Sequence, residues 1–140
     1  MQIVWDKSHE IGIKVIDGQH EQFFKIMNKI LTLSAKKKTS RRELEAIIFQ
    51  LSGYALFHFS VEEGYFGKSG YPGTKAHKLA HQMYRDKVTE LMDKIKNPKT
   101  DLDKLAAEIA TFSIRWLARH TLQEDKRYAE WAKRNSGRAR

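Results

Sequence analysis

The chain has 140 residues, of which 41% are hydrophobic and 31% charged, with two prolines and no cysteine. This length and composition predict one folded domain over residues 1–140. The absence of cysteine excludes disulfides and thiolate metal sites, so any metal must be held by histidine and carboxylate groups. The N-terminal stretch has no apolar signal region, and no run approaches the roughly 18 apolar residues of a membrane helix, so we expect a cytoplasmic protein.

The formal net charge of +9 raises nucleic acid and anionic membranes as partners to consider. The basic residues are mostly spread along the chain. The two exceptions, residues 36–42 and a basic tail of about 133–140, are more often a solvated loop and a frayed end than binding sites. We therefore expect neither a nucleic acid nor a membrane partner.

The predicted elements are an extended arm followed by four helices. The arm covers residues 1–16, and the helices cover about 17–35, 40–66, 74–97 and 101–120. Asp17 is a plausible N-cap for the first helix, and Ser40 with Glu43 forms a capping-box pattern for the second. The stretch TLQEDKRYAEW after the fourth helix is expected to be a further irregular or helical turn. Short connections predict an all-α fold, an antiparallel up-down-up-down four-helix bundle.

Each predicted helix carries apolar residues at alternating three- and four-residue spacing, the pattern of a face buried in a bundle core. The four stripes are His20, Phe24, Met27 and Leu31; Leu44, Ile48, Leu51, Ala55, His58, Glu62 and Tyr65; His77, His81, Tyr84, Val88, Leu91 and Ile95; and Leu102, Leu105, Ile109, Phe112, Trp116 and His120. Every stripe includes a histidine, and only His9 of the six histidines lies outside them.

A single histidine on an apolar face is more often a hydrogen-bonded core residue than a ligand. Five on facing stripes are a different case. His58 with Glu62, and His77 with His81, are i,i+4 pairs that project from one helix face. An antiparallel arrangement would bring all five histidines to the same end of the bundle, where burying them without a cation would be costly.

Asp125 follows His120 by five residues, where a change of backbone path could turn it into the same site. Seven ligands are too many for one zinc ion. They suit two metals that share bridging carboxylates, and imidazole with carboxylate suits iron, manganese or zinc.

The combination of His20 with HFSVE at 58–62, HKLAH at 77–81 and HTLQED at 120–125 resembles the full ligand set of the hemerythrins, and in particular the single-domain bacterial branch, the bacteriohemerythrins. The resemblance implies a non-haem di-iron site that binds O2 reversibly. It implies that His77, His81 and His120 hold one iron, that His20 and His58 hold the other, and that Glu62 and Asp125 bridge them together with an oxo or hydroxo group.

By the same resemblance, O2 binds at the iron with two histidines, in a dry pocket lined by Phe59, Trp116 and Leu117. Core packing is an equally good explanation for the two aromatic residues. Glu63 is expected to face solvent, because it lies about 100° around the helix from Glu62. His9 matches no ligand position of the family.

The predicted function is therefore O2 transport, storage or local supply by a monomer that is not an enzyme. Small anions such as azide are possible ligands at the open iron position. The alternatives on the same site are a di-iron oxidase or peroxidase, a scavenger of O2, NO or peroxide, and a sensor. A metal-binding module without O2 chemistry is a further alternative.

Overall fold

The computed structural model describes residues 3–135. The helices are α1 (Lys14–Lys36), α2 (Arg41–Ser69), α3 (Thr74–Lys96), α4 (Leu102–Arg119) and α5 (Asp125–Asn135), with a short 3-10 turn at Lys7–His9 and a π-helical segment at His120–Glu124 between α4 and α5. Helices α1 and α3 each pack against both α2 and α4. The predicted all-α four-helix bundle is thus confirmed. Most of the predicted basic tail lies outside the described residues.

The start of α1 differs from the prediction. The helix begins at Lys14 after the extended residue Ile13, so Asp17 lies inside the first turn and is not the N-cap. Its carboxylate instead accepts hydrogen bonds from the backbone of Ile11 (2.7 Å) and Gly12 (3.2 Å). Gly12 has a positive φ of 91°, which a side-chain-free residue adopts without strain. Asp17 therefore ties the N-terminal arm to the bundle.

The capping box predicted at the start of α2 is present. The Ser40 hydroxyl accepts a hydrogen bond from the Glu43 backbone N–H, and the Glu43 carboxylate accepts one from the Ser40 backbone N–H.

We expect Ser40→Ala to lower the free energy of unfolding by about 1 kcal/mol, measured by urea denaturation. Ser60→Ala is the matched control, because this serine is exposed and forms no side-chain hydrogen bond among residues 3–135. Equal stability of the two variants would contradict the expectation.

The buried faces follow the predicted stripes closely. In α3 the buried residues are His77, His81, Tyr84, Val88, Leu91 and Ile95, which are the six predicted ones. In α2 the predicted stripe missed three buried residues, Ile47, Phe59 and Phe66, and included Tyr65, which is half-exposed. The hydrophobic core thus fills one part of the bundle, and the histidines of α1, α2, α3 and the π-helical segment lie together in another.

Helix α2 is, by length and composition, apolar enough to cross a membrane. The core helix of a soluble protein passes the same test. In this bundle α2 packs against α1 and α3, and it buries His58 and Glu62. Core packing therefore accounts for part of its apolar character, while Phe49, Leu56 and Phe57 on the same helix are exposed.

Candidate metal centre

Seven polar side chains converge between the four long helices. Each has at most 4% of its surface exposed: His20, His58, Glu62, His77, His81, His120 and Asp125. All five histidines approach the two carboxylates through Nε2. These are the seven residues that the sequence marked as candidates, and the structure brings them into one cluster.

One oxygen of Glu62 lies in the middle of the histidines. Its Oε1 atom is 3.0 Å from His120 Nε2, 3.1 Å from His58 Nε2 and 3.2 Å from His81 Nε2. His77 Nε2 is slightly farther, at 3.5 Å. A carboxylate oxygen cannot accept four well-aligned hydrogen bonds at once. Such crowding is expected where several ligands point at a shared cation.

Asp125 contacts the fifth histidine, His20, and three of the histidines that surround Glu62. Its Oδ2 atom lies 2.6 Å from His20 Nε2 and 3.3 Å from His58 Nε2. Its Oδ1 atom lies 2.9 Å from His77 Nε2 and 3.1 Å from His120 Nε2. The two carboxylates together therefore contact all five imidazoles.

The π-helical segment explains how His120 and Asp125 reach the same site. In a regular α-helix, residues five apart differ in direction by about 140°. The wider turn of His120–Glu124 has the i→i+5 hydrogen-bond pattern of a π-bulge, and the Asp125 backbone donates to the His120 carbonyl. Both side chains consequently point inward. The sequence predicted a change of backbone path here, but not its form.

The spacing of the donor atoms fits bound metal. An octahedral ion with ligands at about 2.1 Å holds neighbouring donor atoms about 3 Å apart. Two overlapping groups of four residues have donor atoms within 4.8 Å of one another: Glu62, His77, His81 and His120; and His58, Glu62, His120 and Asp125. His20 belongs to neither group, but it contacts Asp125 directly. Imidazole with carboxylate is a donor set suited to iron.

Five atoms of the cluster are buried without a hydrogen bond among residues 3–135: His20 Nδ1, His120 Nδ1, Glu62 Oε2, His77 Nε2 and Asp125 Oδ1. His77 Nε2 and Asp125 Oδ1 are only 2.9 Å apart. They nevertheless form no hydrogen bond, because the angle between them is unsuitable. Buried polar atoms without partners are rare and costly. A cation between the last three of these atoms would provide the interactions that they lack.

The electrostatics of the cluster favour ionised carboxylates. Burial, the largest single effect, lowers the pKa of His77, but Asp125 and Glu62 outweigh it and raise that pKa to about 9. Burial likewise lowers the pKa of His58 and His120, and the same carboxylates raise both overall. Burial raises the pKa of Glu62 and Asp125, but the histidines outweigh it and lower both. Metal binding would therefore release protons from the imidazoles.

The opposite ring nitrogens are held by residues that the sequence did not mark as part of the site. Gln19 Oε1 lies 2.7 Å from His58 Nδ1, and Glu63 Oε2 lies 2.8 Å from His81 Nδ1. The expectation that Glu63 faces solvent was therefore wrong. Because α2 and α3 pack closely, a side chain one position off the buried stripe still reaches across to His81. Partners of this kind orient metal-binding histidines.

Aromatic rings form one wall of the cluster. Phe59 is fully buried and stacks on His81, with ring centroids 3.9 Å apart and an interplanar angle of 15°. Trp116 is half-buried and stacks on His120 at 4.4 Å and 15°. Leu117 is buried in the adjoining core. The predicted pocket residues thus lie against or near the histidines.

Helix α5 covers the end of the bundle next to the cluster. Its Tyr128 packs on Phe66 with centroids 4.8 Å apart, and Phe66 packs on His77 at 4.7 Å. Tyr71, from the loop before α3, packs on Tyr128 as well. The sequence predicted only a possible helical turn here. In the structure this helix shields the histidines from solvent.

Comparison with known proteins agrees with this arrangement. The Hemerythrin HHE cation binding domain matches residues 11–132. The chain is 35% identical to a bacteriohemerythrin of Clostridium acetobutylicum over 91% of this chain and 98% of that protein. It is 29% identical to a bacteriohemerythrin of Stenotrophomonas maltophilia, over 94% and 82% of the two chains. It is also 27% identical to a myohemerythrin of Sipunculus nudus, over 89% of each chain.

The family match and the buried histidine–carboxylate cluster agree with the resemblance noted in the sequence. The chain belongs to the hemerythrin family, whose members bind O2 at non-haem iron and are not enzymes.

Proposed function

We propose that this protein binds O2 reversibly at a pair of iron ions, for O2 transport, storage or local supply. The observation that carries the proposal is the position of Glu62 Oε1, which lies within 3.5 Å of four imidazole nitrogens in a buried site. Asp125 makes equivalent contacts, including the one to His20. Two carboxylates that have three histidines in common and together contact all five suit two bridged metals.

We take the assignment of ligands from the resemblance to the hemerythrins, and the contacts in the cluster support it. His77, His81 and His120 hold one iron, a set supported by their grouping with Glu62. The second iron is held by two more histidines, His20 and His58, which both contact Asp125 Oδ2. Glu62 and Asp125 would bridge the two ions, together with an oxo or hydroxo group.

The residue types favour O2 binding over O2 activation. When bound, the two ferrous ions would supply the electrons for O2 binding. Five neutral imidazoles and two carboxylates offset only two of their four positive charges, so the site is less electron-rich than one built from four carboxylates. The chain therefore gives little support to cleavage of the O–O bond. Phe59, Trp116 and Leu117 exclude water from the open position.

The proposal also includes a cytoplasmic location, a monomeric state and binding of small anions such as azide at the open position.

The direct test of the di-iron site is an optical spectrum of the purified protein with iron quantitation, recorded before and after addition of azide or O2. We expect two irons per chain, oxo-bridge bands in the ultraviolet and visible range, and a spectrum that returns after deoxygenation under argon. One zinc per chain without such bands would contradict the proposal.

The dry pocket leads to a prediction about Leu117. We expect Leu117→Ala to leave iron bound and to speed autoxidation, because water or anions would enter the space left by the side chain. Autoxidation is followed as the loss of the O2-bound spectrum in air.

Leu105→Ala is the matched control for Leu117→Ala. Leu105 lies on the same helix and is equally buried, so both variants should lose about 2–5 kcal/mol of stability from the cavity. Leu105 lies four turns from His120, so its loss should leave autoxidation unchanged. Equal autoxidation rates in the two variants would show that Leu117 has no special role in the pocket.

A further inference from the structure

A groove lies on the surface between α3 and α4, and one of its lining residues, Trp116, stacks on His120 of the metal centre. It consists of two adjoining cavities of about 450 and 640 Å³. Both are lined by Lys87, Phe112, Trp116 and Arg119, and we call the two together the α3–α4 groove. Volumes of this size are typical of sites for small molecules and cofactors.

The floor of the groove is aromatic. Trp116 packs on Tyr84 with ring centroids 4.5 Å apart, and Tyr84 packs on Phe112 at 5.6 Å. The half-buried Trp116 also stacks in parallel on His120, which is fully buried. Trp116 therefore contacts both the groove and His120, a proposed iron ligand. A planar ring is the kind of ligand that such a floor stacks against.

A buried polar atom also points to a ligand. Tyr84 is 2% exposed and lines the 450 Å³ cavity. Its hydroxyl has no hydrogen-bond partner among residues 3–135. Burial raises the pKa of Tyr84, so the hydroxyl stays protonated and can donate. A buried hydroxyl without a partner is unfavourable, and a carbonyl or ring nitrogen of a bound molecule would satisfy it.

Acidic and basic side chains both line the groove: Asp86, Glu90 and Glu124 line the 450 Å³ cavity, and Glu108 lines the 640 Å³ cavity. Lys104, Arg115 and Arg119 are exposed on the α4 side of the 640 Å³ cavity. Lys104 and Arg115 form no side-chain hydrogen bond or ion pair in the described part of the chain. On the α3 side, Lys87 is already paired with Glu90 and Glu108. The α4 rim therefore offers cationic groups to a doubly charged anion such as a phosphate.

We propose that the α3–α4 groove binds a planar aromatic redox ligand with a phosphate tail, the class that includes flavin mononucleotide, and that Trp116 lies on the electron route to His120. The redox part rests on the proposed di-iron function. The reduced flavin loses two electrons and two protons to become oxidised flavin. Two ferric ions gain one electron each, and the protons pass to solvent. The groove would thus return oxidised protein to the ferrous form that binds O2.

Calorimetric titration of the iron-loaded protein with flavin mononucleotide and with riboflavin tests the binding. We expect the phosphate-bearing flavin to bind about tenfold more tightly than riboflavin. The double variant K104E/R115E should weaken flavin mononucleotide binding about tenfold or more, since each 1.4 kcal/mol is a factor of ten. K25E/K29E is the matched control, with the same change in net charge at exposed positions of α1 away from the groove, and should bind as the wild type does.

Anaerobic mixing of ferric protein with reduced flavin mononucleotide tests electron delivery, followed as loss of the ferric absorption. We expect slower reduction in K104E/R115E than in K25E/K29E. Absence of flavin binding, or equal weakening in both double variants, would overturn the binding site. Tight binding with equal reduction rates would overturn the electron route. Iron quantitation on the same samples reports separately on the di-iron site, because the titration measures binding whatever the metal content.

Discussion

Replacing Glu62 with alanine should lower the iron content of the purified protein from two ions per chain toward one or none. Glu62 Oε1 lies within 3.5 Å of four histidine nitrogens, so its loss removes the group proposed to connect both ions. It also leaves buried imidazoles facing one another. Breaking a buried charge pair costs about 3–5 kcal/mol. Iron quantitation and thermal unfolding measure the two effects.

Glu45→Ala is the control for this variant. Glu45 lies on the same helix but is exposed, and it should leave both iron content and stability unchanged. The conservative variant Glu62→Gln keeps the side-chain volume while removing the charge. It should therefore retain more stability than Glu62→Ala but hold iron poorly. Two irons per chain in Glu62→Ala would rule out the bridging role.

Glu63→Gln should weaken iron retention about 10- to 100-fold while preserving the fold. The Glu63 carboxylate accepts from His81 Nδ1 at 2.8 Å, and this bond fixes the ring so that Nε2 points at the metal. Glutamine keeps the shape but lacks the charge that makes the imidazole a stronger ligand. Competition with a chelator, followed by the loss of the iron spectrum, measures the change in affinity.

The matched control is Glu45→Gln, the same substitution at an exposed position of α2. A second comparison is Arg85→Met, since Arg85 lies 3.8 Å from Glu63 and should matter less than the direct contact to His81. Equal rates of iron release from Glu63→Gln and the wild type would show that the hydrogen bond does not support the site.

The buried faces of the helices could be predicted, because they depend on the regular spacing of apolar residues along the sequence. The six buried residues of α3 were all marked by their three- and four-residue spacing, because a helix in a bundle must bury one face. The same rule put histidines on all four buried stripes. Short connections then required that the histidines meet at one end, and the structure brings them together there.

Contacts between helices were less accessible to sequence reasoning. Gln19 and Glu63 lie beside predicted ligands in the chain, but each hydrogen bonds to a histidine on a different helix. Their roles depend on the distance and rotation of neighbouring helices, which sequence spacing does not define. Glu124 is an intermediate case. It follows His120 by four residues, a spacing that places it on the same face, and its Oε1 atom lies 3.6 Å from His120 Nδ1.

The sequence by itself determined the bundle, the buried stripes and the identity of seven candidate ligands, because these depend on residue type and on a regular helical repeat. The tertiary structure decided how Asp125 enters the site, since a π-helical turn departs from that repeat. It also decided that Glu63 belongs beside His81 and that α5 covers the cluster. Those features arise from packing between elements, which becomes defined only when the helices are in place.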